Sequence, residues 1–324
     1  MRQASSCLHT QLNEGYTPLI AQGWHNGPFA VKMAAQQMGN FMKHMTRAAL
    51  LGAGLLMAVA PASATPIETI EVTEDFYLLI SNGLGANVGV QVGPDGVLLV
   101  DTMMERGNEA FDAALAAITD KPVRYVLNTH EHMDHNAGNT RFSEGGATVV
   151  YHKASPDLDL PRETRFSGTL SDQMAGTRVD IYTVVSHTMN DAIFHLPEKN
   201  AIFMGDTYAT NWHPTFYGGG REGQLETIDL VLSLADEATM IVPGHGPATG
   251  VAGLKQYRAA FTDWLDRMQQ LVEAGQSEDQ MADDAALQAI IARFQQEEGG
   301  RAIPESSVRR FIQRTIEREF TPRD

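Results

Sequence analysis

The chain has 324 residues, and its 40 acidic and 24 basic side chains give a formal net charge of −16 at pH 7. Such an excess of negative charge disfavours a polyanionic partner, so we do not expect a nucleic-acid-binding protein. Cys7 is the single cysteine. A fold without disulfides must be held by its core and by any metal that it binds.

The first 64 residues are predicted to be a leader and signal peptide that is removed. A basic stretch, 43–47, precedes an apolar run of 13 residues, 48–60, and Ala62-Ser63-Ala64 fits the small-residue pattern of a cleavage site. The apolar run is shorter than the roughly 20 residues that a membrane-spanning helix needs. We therefore expect a start at Met42 or Met45, export to the periplasm or the medium, and no membrane span in the mature chain.

Residues 65–250 alternate between short apolar strands and amphipathic helices. Phe111, Leu115 and Ile118, for example, have the spacing of one helix face. The pattern predicts an α/β domain. The expected strands cover 76–80, 87–92, 97–100, 123–127, 149–151, 179–185, 192–196, 201–204 and 240–242, and the expected helices cover 109–118 and 225–235.

After residue 250 the composition changes to segments rich in Gln, Glu and Arg. Segments 254–273, 283–296 and 305–320 have the pattern of three helices, and the first carries an apolar stripe. We predict a helical extension, 251–324, that packs on a catalytic domain, 65–250, and contributes no chemistry of its own.

The most informative feature is the window 130–135, where three histidines and Asp134 lie within six residues. Side chains at alternate positions of an extended segment point the same way, so His130 and His132 can converge on one ion. Asp134 and His135, just past the turn, can face a second ion. The window predicts one half of a two-metal site.

Three further candidate ligands, His187, Asp206 and His245, each follow an apolar, strand-like run. A ligand just past the end of a strand lies on a rigid support at the rim of a sheet. Asp101 follows the run 96–100 in the same way, and a carboxylate there can fix the tautomer of a metal-bound imidazole.

This set of residues and its order resemble the metallo-β-lactamase fold superfamily, whose motifs are Asp, HxHxDH, His, Asp and His. The resemblance implies a four-layer αββα sandwich with two zinc ions at one rim. It also implies that His130, His132 and His187 hold one zinc, that Asp134, His135 and His245 hold the other, and that Asp206 bridges both. Asp101 is then a supporting residue behind the ligands.

Such a site predicts a hydrolase of a small-molecule substrate. A hydroxide that bridges two zinc ions can attack an acyl carbon in a lactone, ester, thioester or β-lactam, and Asp134 can orient or shuttle the proton. Asp206 stands where some β-lactamases have a cysteine ligand, which disfavours those subclasses. A cysteine-free β-lactamase, a mononuclear iron enzyme similar to persulfide dioxygenases and a non-catalytic metalloprotein remain alternatives, and the oligomeric state is left open.

The loop after Asp206 is the candidate substrate wall, because aromatic residues on a glycine-rich loop beside a metal rim can contact a substrate. Tyr208 is a candidate hydrogen-bond donor to an oxyanion, and His213, Phe216 and Tyr217 are candidate pocket residues. Each of these aromatic residues is equally well explained by simple packing.

Overall fold

The computed structural model describes residues 67–296 and 302–321. The predicted leader, its cleavage site and Cys7 lie outside these residues. Within them, no helix combines the length and the apolar character that crossing a membrane requires.

The first sheet has seven strands in chain order. The first four pair antiparallel, and the fourth to the seventh pair parallel, so the fourth and fifth strands end at the same edge. The strands are β1 (Ile67–Thr73), β2 (Phe76–Ser81), β3 (Val88–Val92), β4 (Val97–Val100), β5 (Val123–Leu127), β6 (Thr148–His152) and β7 (Glu163–Phe166).

The second sheet has six strands, in the order β13-β12-β11-β10-β9-β8. β9 and β11 both pair antiparallel with β10, and β12 pairs parallel with β11, so the ends of β9, β11 and β12 lie at one edge. The strands are β8 (Thr169–Met174), β9 (Thr177–Val184), β10 (Asp191–Leu196), β11 (Ala201–Phe203), β12 (Met240–Val242) and β13 (Thr249–Gly250).

The helices fall into an early group and a late group along the chain. The α-helices are Asn108–Ile118, Met133–Asn136, Asn139–Glu144, Gly220–Leu234, Val251–Glu273, Glu278–Ala282, Ala285–Ala292 and Glu305–Thr315. Single 3₁₀ turns occur at Glu105–Gly107, Pro197–Lys199 and Gly205–Thr207, and the last α-helix continues into a π-helical turn, Ile316–Phe320.

Three apolar clusters lie between four successive layers of helices and sheets, which confirms the predicted αββα sandwich with C-terminal helices. One cluster joins Phe111 and its neighbours to the outer face of the seven-stranded sheet, and a second lies between the two sheets. The third joins the six-stranded sheet to the later helices. Neighbouring strand residues alternate between clusters, with Ile202 in the third and Phe203 in the second, because successive strand side chains point to opposite faces.

The predicted elements differ from the observed ones mainly where strands are polar. β8 was not predicted because most of its side chains are exposed and polar, so it has no apolar signal. The helix expected over 283–296 is present but shorter, Ala285–Ala292, and a helix that was not predicted, Glu278–Ala282, precedes it. Ser277 forms a capping box that starts Glu278–Ala282, and the Asp284 side chain accepts from Leu287 N and starts a separate helix, Ala285–Ala292.

The C-terminal helices pack through aromatic side chains. The rings of Trp264 and Phe311 stack with centroids 4.1 Å apart, and Trp264 Nε1 donates to Thr315 Oγ1 at 3.1 Å. Tyr257 and Phe261 are also fully buried, as their predicted apolar stripe requires. The extension therefore shares one core with the six-stranded sheet, while the boundary at residue 250 remains a prediction.

Candidate metal centre

All seven predicted ligands lie at one rim, because they follow strands that end at the same edge of each sheet. His130 and His132 lie in the loop after β5, and Asp134 and His135 lie in the short helix Met133–Asn136. The other three ligands come from the second sheet: His187 follows β9, Asp206 follows β11 and His245 follows β12.

Hydrogen bonds join the two sheets at this rim. Asn87, just before β3, donates through Nδ2 to Pro243 O at 3.0 Å and to Gly246 O at 2.7 Å. Ala192 N, on β10, donates to Thr129 O at 2.7 Å. These bonds hold the loops that carry His130 and His245 in fixed positions, so ligands from distant parts of the chain meet at one place.

The first donor group contains His130, His132, His187 and one oxygen of Asp206. His132 Nδ1 lies 3.1 Å from His130 Nε2 and 3.0 Å from His187 Nε2, and Asp206 Oδ2 lies 3.7 Å from His187 Nε2. Ligand atoms around a tetrahedral zinc are about 3.3 Å apart. The spacing therefore suits one such ion.

The second group contains Asp134, His135 and His245. His245 Nε2 lies 3.1 Å from Asp134 Oδ2 and 3.3 Å from Asp206 Oδ1, and His135 Nε2 lies 3.1 Å from the same Asp206 oxygen. Asp206 thus presents Oδ1 to this group and Oδ2 to the first, which is the geometry of a bridging carboxylate.

Two of the histidines are held by groups behind them. His135 Nδ1 lies 2.8 Å from Asp101 Oδ2, and Asp101 also accepts from Thr129 N at 2.8 Å and from Thr129 Oγ1 at 2.7 Å. His187 Nδ1 lies 2.6 Å from Thr215 O. Both contacts direct the opposite ring nitrogen, Nε2, to the centre of the site.

The pKa values show that the site attracts positive charge. Burial raises the pKa of Asp206, but the charges of His245 and His135 outweigh it and hold that pKa well below its usual range. The pKa of Asp134 is lowered in the same way, against burial, by His245 and His135. Burial, together with the charge of His135, lowers the pKa of His130 well below normal, so its imidazole is neutral.

The two histidines of the second donor group respond to the ionised carboxylates. Burial lowers the pKa of both, but the charge of Asp206 outweighs it and raises the pKa of His245 to about 9 and that of His135 well above its usual range. The lowered pKa values of the carboxylates and the raised pKa values of these histidines both show that positive charge is stabilised between the two donor groups.

The buried atoms of this cluster fit a bound metal. His135 Nε2 and Asp206 Oδ1 are both inaccessible, and although they lie 3.1 Å from each other, neither makes a well-directed hydrogen bond within the described part of the chain. Buried polar atoms normally have a partner, and a metal ion is one such partner. Imidazole nitrogens and carboxylate oxygens are the donors that zinc accepts. The residues therefore suit a zinc pair, although binding itself remains a prediction.

A cavity of about 570 Å³ opens beside the second donor group. Asp134, Asp206 and His245 form its metal-facing part. The rest of the wall comes from loops of both sheets and from the segment before the last α-helix: Ser81, Gly83, Gly85, Met104, Arg106, Ala209, Asn211, Trp212, Thr215, Gly246, Ala302 and Pro304.

The four predicted pocket residues do not line this cavity. Tyr208 is fully buried and its hydroxyl lies 2.9 Å from both Thr249 Oγ1 and Gln296 Oε1, so it does not face the ligands. Phe216 belongs to the buried core cluster. Both predicted aromatic residues are therefore packing residues.

The other two candidates, His213 and Tyr217, contact the C-terminal helices. The His213 ring is buried and stacks on Phe311, with centroids 4.2 Å apart. The Arg314 guanidinium lies over the ring of Tyr217 at 4.9 Å. Within the same loop it is Asn211, Trp212 and Thr215 that face the cavity.

Sequence reasoning also missed the contacts that position the His187 loop. Asp191 is buried and accepts from Ser186 N at 3.1 Å, from Thr188 N at 2.9 Å and from Thr188 Oγ1 at 2.6 Å. Asp191 therefore fixes the loop that carries His187. Glu131 adds an unpredicted link, because its Oε2 accepts from Asn190 Nδ2 at 2.5 Å and ties the two histidine loops together.

The four-layer αββα sandwich and the His/Asp cluster at one rim together define the architecture of a metal-binding protein. A model of the metallo-beta-lactamase superfamily matches residues 81–245, just over half of the chain and the whole ligand series. The chain belongs to this superfamily, as its motifs predicted.

The curated relatives are distant, and the similarity covers only part of each protein. A hydroxyacylglutathione hydrolase of Rhizobium meliloti is 25% identical over 53% of this chain and 62% of its own length. The alpha subunit of a 2,4-dinitroanisole O-demethylase of a Nocardioides species is 26% identical over 47% of this chain and 49% of its own length. The matches thus span less than two thirds of these relatives.

Solved structures agree in fold. A metallo-beta-lactamase family protein of Thermus thermophilus aligns with a TM-score of 0.53 at 15% identity, covering 78% of this chain and 94% of that protein. At this identity the likeness supports the architecture and leaves the substrate undetermined.

Proposed function

We propose that this protein is a binuclear zinc hydrolase that cleaves an acyl bond in a small molecule, with a thioester as the first candidate substrate. The observation that carries the proposal is the position of Asp206, whose two oxygens face two donor groups beside one cavity. In that arrangement His130, His132 and His187 would hold one ion, and Asp134, His135 and His245 the other.

A bound zinc pair would supply an activated water and a Lewis acid for the acyl oxygen. The residues of the chain supply orientation and proton transfer. The carboxylate of Asp134 lines the cavity, and its lowered pKa keeps it ionised. Asp134 would accept the proton of the attacking water and pass it to the leaving thiolate.

The choice of a thioester rests on the relatives. Several curated proteins similar to this chain are hydroxyacylglutathione hydrolases, at 25% to 30% identity over the matched segments. Lactones and β-lactams undergo the same acyl chemistry and belong in the same assay.

We also propose that the chain is exported and processed after Ala64, because its basic, apolar and small-residue segments occur in the order of a signal peptide. Mass spectrometry of protein recovered from the periplasm of an expressing cell tests this. A mature amino terminus at Thr65 is expected, and an unprocessed chain would contradict the proposal.

The first experiment measures metal content and hydrolysis on one sample of chain beginning at Thr65. Elemental analysis should give about two zinc per chain, and a panel of a thioester, a lactone and a β-lactam should show turnover of one class. One iron per chain without hydrolysis would favour an oxygenase similar to persulfide dioxygenases. A full zinc complement without turnover of any of the three would overturn the acyl-hydrolase proposal.

Variants connect the site to the activity. His132→Ala and Asp206→Ala should lose metal and hydrolysis together, because each removes a donor that other ligands cannot replace. His195→Gln is the matched control, since His195 is a partly buried histidine on β10 outside both donor groups. Full activity in either ligand variant would refute the assignment.

A further inference from the structure

Arg106 is a cationic side chain in the wall of the cavity that contains Asp134, Asp206 and His245. It lies in the turn Glu105–Gly107, at the start of the helix that follows β4, and is exposed to solvent. Apart from histidine, it is the sole basic residue among the described residues that line this cavity.

The guanidinium of Arg106 is held in place by contacts to two other residues of the cavity wall. Its Nη2 donates to Gly83 O at 2.7 Å, and its Nη1 contacts the sulfur of Met104. The loop that carries Gly83 is itself tied to the metal side, because Ala86 N donates to Asp134 O at 2.9 Å. At Gly85 an added Cβ would lie 2.8 Å from Asp134 O and from Met104 N, so the loop is closely packed there.

Arg106 differs from most other arginines in lacking an acidic partner. Eight arginines in the described ranges form ion pairs with Asp or Glu, whereas none is formed by Arg106. Its remaining N–H donors are available to a ligand in the cavity.

Arg106 is not one of the metal donors, so its charge stays available when metal binds. Two bound zinc ions would neutralise the carboxylates of Asp134 and Asp206, and Arg106 would add a further cation in the cavity wall that can attract an anionic ligand. Met104 and Trp212 add apolar surface to the same wall. The wall therefore presents a cation, an apolar stretch and the metal-facing carboxylates.

We propose that Arg106 binds a carboxylate on the substrate, at the end opposite the scissile acyl bond, and so selects anionic acyl compounds over neutral ones. This inference rests on the proposed function for the identity of the bond but not for the binding of the anion. A planar guanidinium suits a carboxylate because two N–H groups can donate to its two oxygens.

The test uses the zinc-loaded protein and a pair of non-hydrolysable thioethers of equal length, one ending in a carboxylate and the other in a primary amide. Isothermal titration calorimetry should show the carboxylate binding about tenfold more tightly to the wild type, as a partly desolvated charge-assisted pair provides. Arg106→Ala should abolish this preference, and Arg106→Lys should retain part of it. The preference should weaken as salt is raised.

Arg124→Ala is the matched control. Arg124 is also exposed and also donates to a backbone carbonyl, Asp95 O at 3.1 Å, but it does not line the cavity. It should keep the full preference. Equal binding of the two compounds by the wild type, or an undiminished preference in Arg106→Ala, would overturn the inference.

Hydrolysis of the matching thioesters on the same preparations tests the proposed function separately. Absence of turnover together with a preference that depends on Arg106 would refute the acyl hydrolase and keep the anion site. Turnover without that preference would support the acyl hydrolase and refute the anion site.

Discussion

Replacing Asp101 by Asn tests how the buried residue behind His135 controls the metal centre. The carboxylate accepts three hydrogen bonds, at 2.7 Å and 2.8 Å from Thr129 and at 2.8 Å from His135 Nδ1. Its φ of +62° lies in the left-handed region, which Asn tolerates as Asp does. The substitution therefore changes the hydrogen-bonding chemistry with little change in shape or backbone strain.

In the Asp101→Asn variant the new amide oxygen can keep the bond from Thr129 N, but the NH₂ group then faces the groups from which Asp101 Oδ2 now accepts. His135 would have to change tautomer, which places a proton on Nε2, where a metal ligand needs a lone pair. We expect the affinity of the second zinc to fall about 10–100-fold. The unfolding free energy of the metal-free chain should fall by about 1.5–3 kcal/mol for a charge-assisted bond.

Zinc content after dialysis against a series of zinc buffers measures the first effect, and urea denaturation of the metal-free chain measures the second. Asp120→Asn is the control, because Asp120 is exposed and lies outside the site. An Asp101→Asn variant that holds both ions at the same free zinc concentration as the wild type would refute the reasoning.

Three further substitutions test residues that are buried in the interior and do not line the cavity. Tyr208→Phe should leave hydrolysis within about twofold and cost about 1 kcal/mol of unfolding free energy in urea, since the hydroxyl bonds to Thr249 and Gln296 and does not line the cavity. A large loss of kcat would show that Tyr208 acts in the site. Phe311→Ala should cost about 3–5 kcal/mol, measured in the same way, because it removes a fully buried ring; a loss below about 1 kcal/mol would show that the extension is not part of the core. Burial lowers the pKa of His213 to about 4 from its usual 6.5, so the unfolded chain binds the proton first as pH falls, and the stabilisation is lost between about pH 6.5 and 4. Between pH 7 and pH 5 the wild type should lose about 2 kcal/mol more than His213→Phe, and equal losses would show that His213 is not buried in its neutral form.

The ligand series could be predicted from the sequence because its information is local. His187, Asp206 and His245 each follow an apolar strand, and strands that run in the same direction deliver their ends to one edge. The apolar strands and helices indicated an α/β domain, and the resemblance of the motif series to the superfamily implied the two-sheet sandwich. Residue type and spacing were therefore enough to predict that the candidate ligands meet at one rim, whereas the sandwich was expected from the resemblance.

The cavity wall depended on tertiary structure. Trp212 and His213 are adjacent in sequence, yet Trp212 lines the cavity while His213 is buried against Phe311, nearly 100 residues further along the chain. Arg106 reaches the site because the Gly83 loop and the turn after β4 pack together. Ligands at strand ends are positioned by a regular element, but the direction of a loop side chain is decided by whichever distant segments pack against it.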